Sequence, residues 1–293
     1  MKKRLLIDAV GRIAFATLAW ISVLILVGIF LMLASNGLRL IFHISPRELF
    51  SVKWNPSDYE NPTFGIVSMV ISTGLTTLLA MVVAIPIGVG AAICISEILS
   101  SNIRAWVKPM IEMLASIPSV VIGFLGIVIV GPAMAKLFHL SNGLNALNGA
   151  LLLAVMSLPT IITVAEDAIH SVSRELKEGS YALGADKIST LKRIIIPNCY
   201  SGIIAAVVLG MGRAIGETMT VLMVTGNATT MPDSIFDPVR TLTATIAIEM
   251  GEVPFNSNHY FGLFACGLIL FLITLTANII AENLAQKLRR NEL

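Results

Sequence analysis

Arg174-Glu-Leu-Lys-Glu-Gly-Ser-Tyr-Ala-Leu-Gly184-Ala-Asp-Lys-Ile-Ser-Thr-Leu-Lys-Arg-Ile-Ile-Ile-Pro197 is a polar, basic island between two long apolar runs. Val172 to Leu183 has the composition of a short helix, with Leu176 and Tyr181 among charged neighbours. Gly184 stands where a left-handed C-cap would stop it. Ile188 to Ile196 suits a second short helix, basic on one side through Lys187, Lys192 and Arg193 and closed by Pro197. Helix, glycine turn and helix make an elbow that fits a groove on a soluble partner, or a basic pair held at an interface by anionic headgroups. The wider polar segment, Glu166 to Pro197, is longer than most connections in small helical proteins and so calls for a function.

Outward from this island the chain is apolar. Of its 293 residues 56% are hydrophobic and 13% charged, with a mean hydropathy of +0.85. Soluble domains carry roughly 45–50% and 25%, so the expected class is an all-α polytopic membrane protein. That excludes a soluble enzyme, a disulfide scaffold or a disordered chain. Six charge-poor runs are expected to span: Ile13–Ala34, Gly65–Ser96, Met113–Ala135, Ala150–Ala165, Cys199–Val224 and Phe255–Ala281. A bilayer core of roughly 30 Å needs about 20 helical residues. The first run is too long for a signal peptide and no cleavage site follows it, so it is expected to stay as an anchor helix, 13–34. The second is roughly 48 Å as one straight helix, and is expected to tilt or break at Pro86, Gly88 and Gly90. Leu242, Ile246 and Ile248 predict a short surface or re-entrant helix within Val239–Met250. One transmembrane domain over 1–293 is expected, with a core over 65–284 and the polar loop over 166–197.

Basic residues set the orientation. With both termini inside, the inner segments hold Lys2, Lys3, Arg4, Arg12, Arg104, Lys108, Arg174, Lys177, Lys187, Lys192, Arg193, Lys287, Arg289 and Arg290, against Arg39, Arg47, Lys53, Lys136 and Arg240 outside. The asymmetry predicts N-in, C-in.

The remaining cation, Arg213, lies inside the fifth run, in Gly210-Met-Gly-Arg213-Ala-Ile-Gly-Glu217-Thr218. On a continuous helix Arg213 and Glu217 share one face, with Arg213 roughly 24 Å beyond Pro197, near the midplane. Each ion costs about 2.5–3.5 kcal/mol there, so both are expected to face protein or water. Two readings stay open. The pair neutralises itself as packing glue, or Arg213 offers a fixed donor fork to an oxyanion while Glu217 orients it and prevents trapping. Gly212 and Gly216 form a GxxxG step expected to admit another helix closely.

Other signals are weaker. Cys94, Cys199 and Cys266 and the four histidines lie apart, so no metal site is expected. Gly179-x4-Gly184 is followed by Ala185-Asp186 rather than the Lys-Ser/Thr of a P-loop, so this chain is not expected to hydrolyse ATP. Ser72, Thr73, Thr76 and Thr77 line a polar path or bond their own backbone. Glu112 is expected as an interface charge, Glu166 and Asp167 as caps of the inner loop, and Asn227-Ala-Thr229 as a chance sequon.

Glu178-Gly179-Ser180, three residues, Gly184, nine residues, then Ile194-Ile195-Ile196-Pro197 resembles the EAA signature (EAA-x3-G-x9-I-x-L-P) of bacterial ABC-importer permeases. Arg213 to Asn227, Ile117 to Phe124 and Thr241 to Ala247 resemble phosphate-specific permeases of that kind, and the likeness covers Gly65 to Ala281. Of the two homologous permeases paired there, the PstC and PstA types, Gly216-Glu-Thr-Met-Thr and Trp54-Asn-Pro56 look more like PstC. The resemblance implies a type I ABC-importer permease fold in a bacterial inner membrane. It implies coupling to an ATPase through Glu178, Gly179, Ser180, Gly184, Ile194, Ile196 and Pro197, and a substrate path through Arg213, Glu217, Thr218 and Ser119. It also implies partners: a PstA-type permease, two cytoplasmic ATPase subunits and a periplasmic or lipoprotein phosphate-binding protein. ATP and Mg would then sit on the ATPase, with no cofactor in this chain and no nucleic acid partner. The residues alone leave open an ion-gradient-driven secondary anion carrier, or a permease for another oxyanion. An intramembrane hydrolase lacks a Gly-x-Ser-x-Gly serine with a histidine partner.

Overall fold

A computed structural model describes residues 2–58 and 60–290, and Met1 lies outside them. The side chains of Lys2, Lys3, Arg4, Lys287, Arg289 and Arg290, counted above for orientation, also fall outside the described set.

The elements are α1 (Lys2–His43), α2 (Pro46–Leu49), β1 (Trp54–Asn55), β2 (Thr63–Phe64), α3 (Val67–Ile93), α4 (Ser101–Leu114), α5 (Ser119–Leu125), α6 (Gly131–Leu137), α7 (Ala146–His170), α8 (Arg174–Ala182), α9 (Lys187–Thr190), α10 (Ile196–Gly216), α11 (Met219–Val224), α12 (Leu242–Glu249) and α13 (Asn258–Arg290). Wide π-helical turns occupy Cys94–Ile98, Gly126–Val130 and Leu191–Ile195. Six helical stretches are long and apolar enough to cross a membrane: Gly11–Leu40, Val67–Ile98, Ser119–Leu137, Ala146–His170, Lys187–Gly216 and Asn258–Asn283.

The centre is α3 against α7, with α10 packed across both. Ala80, Met81, Ala84, Ala150, Leu153, Ala154, Ile161, Ala214 and Val221 fill it. Small residues bring the backbones close, because packing rather than hydrophobic exclusion holds helices together in lipid. Gly88 of α3 and Gly210 of α10 both abut the Ile161 side chain, where a Cβ would collide. α1 packs on α13, where Gly37 lies against the Ala265 backbone. Elsewhere α1 is apolar and exposed, from Ile13 through Met32, as suits a helix facing lipid.

Several expectations need correction. α3 continues through Pro86 instead of breaking there. It is held between α7 and α10, and the surplus length is taken up by the π-turn Cys94–Ile98, after which Leu99 turns extended (ψ 144°). The third span starts later than expected: α4 stops at Leu114, Pro118 keeps Ile117 out of helical geometry, and the stretch able to cross runs Ser119–Leu137. Pro197 does not close the inner elbow. It lies inside the continuous helical stretch Lys187–Gly216, directly after the π-turn Leu191–Ile195. Gly184, by contrast, is left-handed as expected, with φ +84° just past α8. α12 forms where helical spacing placed it, with Leu242, Thr243, Ala244 and Thr245 buried.

Candidate translocation and coupling sites

The fifth span breaks where its charges lie. α10 ends at Gly216, Glu217 is extended (φ −69°, ψ 130°), and Thr218 starts α11. The one-face geometry expected for Arg213 and Glu217 is therefore lost, and no ion pair joins them among the described residues. Instead Glu217 Oε1 accepts the Thr220 backbone N–H at 3.2 Å and caps α11. Arg213 Nη2 donates to the Ala115 carbonyl at a long 3.4 Å. Arg213 also lines a cavity of about 140 Å³ walled by Ile111, Leu114, Ile117, Ile122 and Met156.

Three distant segments converge at this break. Thr220 Oγ1 donates to the Ser119 carbonyl at 3.0 Å, tying α11 to the start of α5. Thr243 Oγ1 donates to the Glu217 carbonyl at 2.9 Å, tying the break to α12. Thr218 Oγ1 donates to the Gly216 carbonyl at 3.3 Å. Irregular backbone at membrane depth persists only where protein buries it or it lines a cavity, and here both the third and fifth spans are irregular side by side. Of the residues expected on the substrate path, Arg213, Glu217, Thr218 and Ser119 thus all border these breaks. Thr220 and Thr243, which hold the breaks together, were not singled out from sequence; hydroxyls inside apolar runs were the available signal.

Among the described residues, no helix of this chain occupies the GxxxG step. Within this chain nothing lies within 4 Å of a Cβ built at Gly212 or Gly216, while Gly210 meets Ile161 and Gly202 meets Ala168. Two hydroxyls of α3 follow the backbone-bonding reading: Thr73 and Thr76 bond backbone carbonyls, and Thr73 also accepts the Leu242 N–H at 3.1 Å. The Ser72 and Thr77 hydroxyls are buried without a partner.

At the inner end, α8 carries Glu178, Gly179 and Ser180, with Glu178 and Gly179 exposed. Ser180 Oγ bonds Thr190 Oγ1 at 2.9 Å, and Ile194 and Ile196 are half-buried around the buried Ile195. Asp186 caps α9 through Ser189, which lowers its carboxyl pKa. Lys177 pairs with Glu97 at 2.7 Å. Glu166 and Asp167 are not loop caps. Glu166, 1% exposed, is gripped by Arg104 and Lys108 of α4, and Lys108 also holds Asp167 at 2.5 Å. Hydrogen bonds to Asp167, then to Glu166, raise the Lys108 pKa. Glu112 is exposed beside that clamp.

At the outer end, Glu249 of α12 accepts Trp54 Nε1 at 3.1 Å, Arg240 Nη1 at 2.9 Å and pairs with His259 Nε2 at 2.7 Å. One carboxylate thereby joins the β1–β2 hairpin, α12 and α13. The Asn227 amide of the chance sequon is occupied, donating to the Leu222 carbonyl at 2.6 Å.

Residues 84–290 match the family described as binding-protein-dependent transport system inner membrane component. The chain belongs to that family. A probable ABC transporter permease protein, YqgH of Bacillus subtilis (strain 168), is 36% identical over 276 residues, 93% of this chain and 89% of that protein. The phosphate transport system permease protein PstC of Mesorhizobium japonicum is 32% identical over 302 residues, 97% of this chain and 91% of that protein. PstC 1 of Mycobacterium tuberculosis is 32% identical, covering 83% of this chain and 82% of its own. Among solved structures, a bacterial ABC transporter importing alginate superposes with a TM-score of 0.64 over 96% of this chain and 98% of that one, at 15% identity. The MetNI methionine transporter gives 0.56 over 76% and 94% at 16% identity. These two speak for the fold, that of type I ABC-importer permeases. The chain is accordingly the permease component of an ABC importer, a multi-pass membrane protein and transport subunit.

Proposed function

We propose that this permease is of the PstC type and translocates inorganic phosphate across a bacterial inner membrane, N-in and C-in, powered by ATP hydrolysis on separate subunits. The observation that carries the reading is the Arg213 guanidinium. Arg213 lies in the fifth span beside two helix breaks and lines an apolar cavity, and among the described residues its guanidinium has one long hydrogen bond and no carboxylate on it. A planar fork of donors so weakly engaged matches a phosphate oxyanion in charge and geometry. Ser119 and Thr218, at the two breaks, supply short hydroxyls beside the path. Glu217 holds the break in shape by capping α11, and its charge limits how tightly an anion is retained.

The same reading gives the partners. A homologous PstA-type permease covers the open face of Gly212 and Gly216. Two cytoplasmic ATPase subunits, holding ATP and Mg, receive the α8 elbow through Glu178, Gly179, Ser180 and Gly184, backed by Ile194, Ile196 and Pro197. A phosphate-binding protein, periplasmic or lipid-anchored, delivers cargo from outside. No cofactor resides in this chain. Uptake of phosphate into proteoliposomes of the full complex, with and without ATP, tests this. Arg213→Gln is expected to abolish uptake while the subunits still co-purify; unchanged uptake removes Arg213 from the path. A chain that transports alone down an ion gradient would instead establish the secondary carrier.

A further inference from the structure

The elbow helix α8 buries none of its residues. Among the described residues it is bonded by side chains outside itself at two points, one on a π-turn and one immediately before another. Lys177 Nζ donates to Glu97 Oε1 at 2.7 Å, with the two side chains 16% and 17% exposed. Glu97 belongs to the π-turn Cys94–Ile98 that ends the second span. Ser180 Oγ bonds the buried Thr190 Oγ1 at 2.9 Å. Thr190 immediately precedes the π-turn Leu191–Ile195 that opens the fifth span. Each π-turn stores one surplus residue in a helix and is rare away from functional positions. Between the two, Ala92, Ala165, Ile169, Ile195 and Cys199 pack into one core, so the inner ends of spans two, four and five bear on each other.

We infer that the Lys177–Glu97 pair is a strut through which displacement of α8 is transmitted to the second span, Lys177 and Glu97 acting as positioning residues. The inference rests on the importer reading and goes beyond it. A load applied to α8 by a partner reaches the fifth span along the chain itself, through Gly184 and α9. It reaches the second span through this ion pair. Two long side chains, both largely sheltered from water, form a stiffer link than an exposed pair. The π-turn carrying Glu97 is the compliant part, since its surplus residue can travel along the helix as a register shift.

The test is the amount of phosphate imported per ATP hydrolysed by the full complex in proteoliposomes. Glu97→Gln and Lys177→Met are each expected to lower that ratio about tenfold, within the range of coupling between sites, with ATPase subunits still bound. The double variant is expected to be no worse than either single one. Exchanging the charges, Lys177→Glu with Glu97→Lys, is expected to restore coupling; an exchanged pair that assembles yet stays uncoupled overturns the strut. So does a normal ratio in Glu97→Gln. Loss of the ATPase subunits in Lys177→Met alone would place Lys177 in their interface and overturn it too. If the wild-type complex hydrolyses ATP but imports no phosphate, the substrate reading fails separately. The strut is then decided by spin labels at the exposed Glu175 and Ser100. Their separation is expected to hold on ATP binding in wild type and to change in Glu97→Gln; equal behaviour rejects the strut.

Discussion

The midpoint of the fifth span and the inner ends of the helices treat charge in opposite ways. At the inner end the sheltered acids are matched: Glu166 by Arg104 and Lys108, with Asp167 beside it held by Lys108, and Glu97 by Lys177. Deep in the fifth span Arg213 has, among the described residues, a single 3.4 Å bond to a carbonyl, and the nearest acid in sequence has turned away to cap a helix. Paired charges in a partly dry setting fix geometry. On the proposed reading, an underused cation is a site for an anion, and the difference separates the part of the molecule that would transmit force from the part that would handle cargo.

The largest effect is expected where the charge is underused. Arg213→Gln should eliminate phosphate uptake, and Arg213→Lys should restore it only in part, because an ammonium keeps the charge without the planar fork. Both variants should assemble and unfold like the parent, since Arg213 makes one weak bond. An Arg213→Gln complex that fails to assemble would blur the comparison by making Arg213 structural.

The inner clamp should behave in reverse, with stability falling before transport chemistry does. Glu166→Gln leaves Arg104 and Lys108 facing a neutral amide and is expected to cost about 2–3 kcal/mol. That lies toward the low side for a buried pair, because Arg104 and Lys108 remain 20% and 29% exposed. Denaturation of the purified protein in detergent measures it. No change in midpoint would show the clamp to be solvated decoration.

How much of this contrast was legible in sequence follows from which interactions are local. The number of spans, the left-handed Gly184 and α12 depend on composition and spacing within a few residues, and they formed as expected. The breaks did not declare themselves. They are held by Thr220 bonding a carbonyl 101 positions away and by Thr243 bonding one 26 positions away. Arg213 and Glu217 look like a helical pair only if the helix is assumed to continue. Pro86 is where the sequence places a tilt or break and Pro197 where it closes a short helix, yet a helix packed on two sides absorbs one lost hydrogen bond, and Pro197 follows a π-turn within one continuous helical stretch. The acids Glu166 and Asp167 needed α4 folded beside them before their partners could be seen.

Glycine sharpens the comparison at a smaller scale. Gly210 and Gly212 stand two residues apart on α10 with opposite surroundings: Gly210 touches Ile161, and Gly212 faces open space. Gly210→Ala is expected to destabilise the isolated chain by about 1–3 kcal/mol through overpacking. Gly212→Ala should leave the isolated chain unharmed, or slightly favour the helix. If the partner permease covers that face, Gly212→Ala should instead weaken association of the two permeases. Thermal unfolding of the single chain and co-purification of the pair separate the two cases. A loss at both positions in the single chain would mean that the Gly212 face is covered by this chain itself.

The smallest effect concerns Asp186, which caps α9 just after the glycine turn. Its carboxyl pKa is lowered from 3.8, first by the side-chain hydrogen bond with Ser189 and then by the Ser189 backbone N–H. A carboxylate with a depressed folded-state pKa adds stability that is fully present above its unfolded value and is lost as pH falls through the folded one. The cap therefore holds at neutral pH and loosens only below about pH 4. Asp186→Asn keeps an acceptor for the Ser189 N–H, since asparagine caps about as well as aspartate, and should remove the acid dependence while sparing the elbow. Amide exchange at Ser189 between pH 3 and pH 6, corrected for the intrinsic pH dependence of exchange, reads this directly. If protection falls with acid in both proteins, the elbow is being released elsewhere, and Asp186 is not what sets its acid limit.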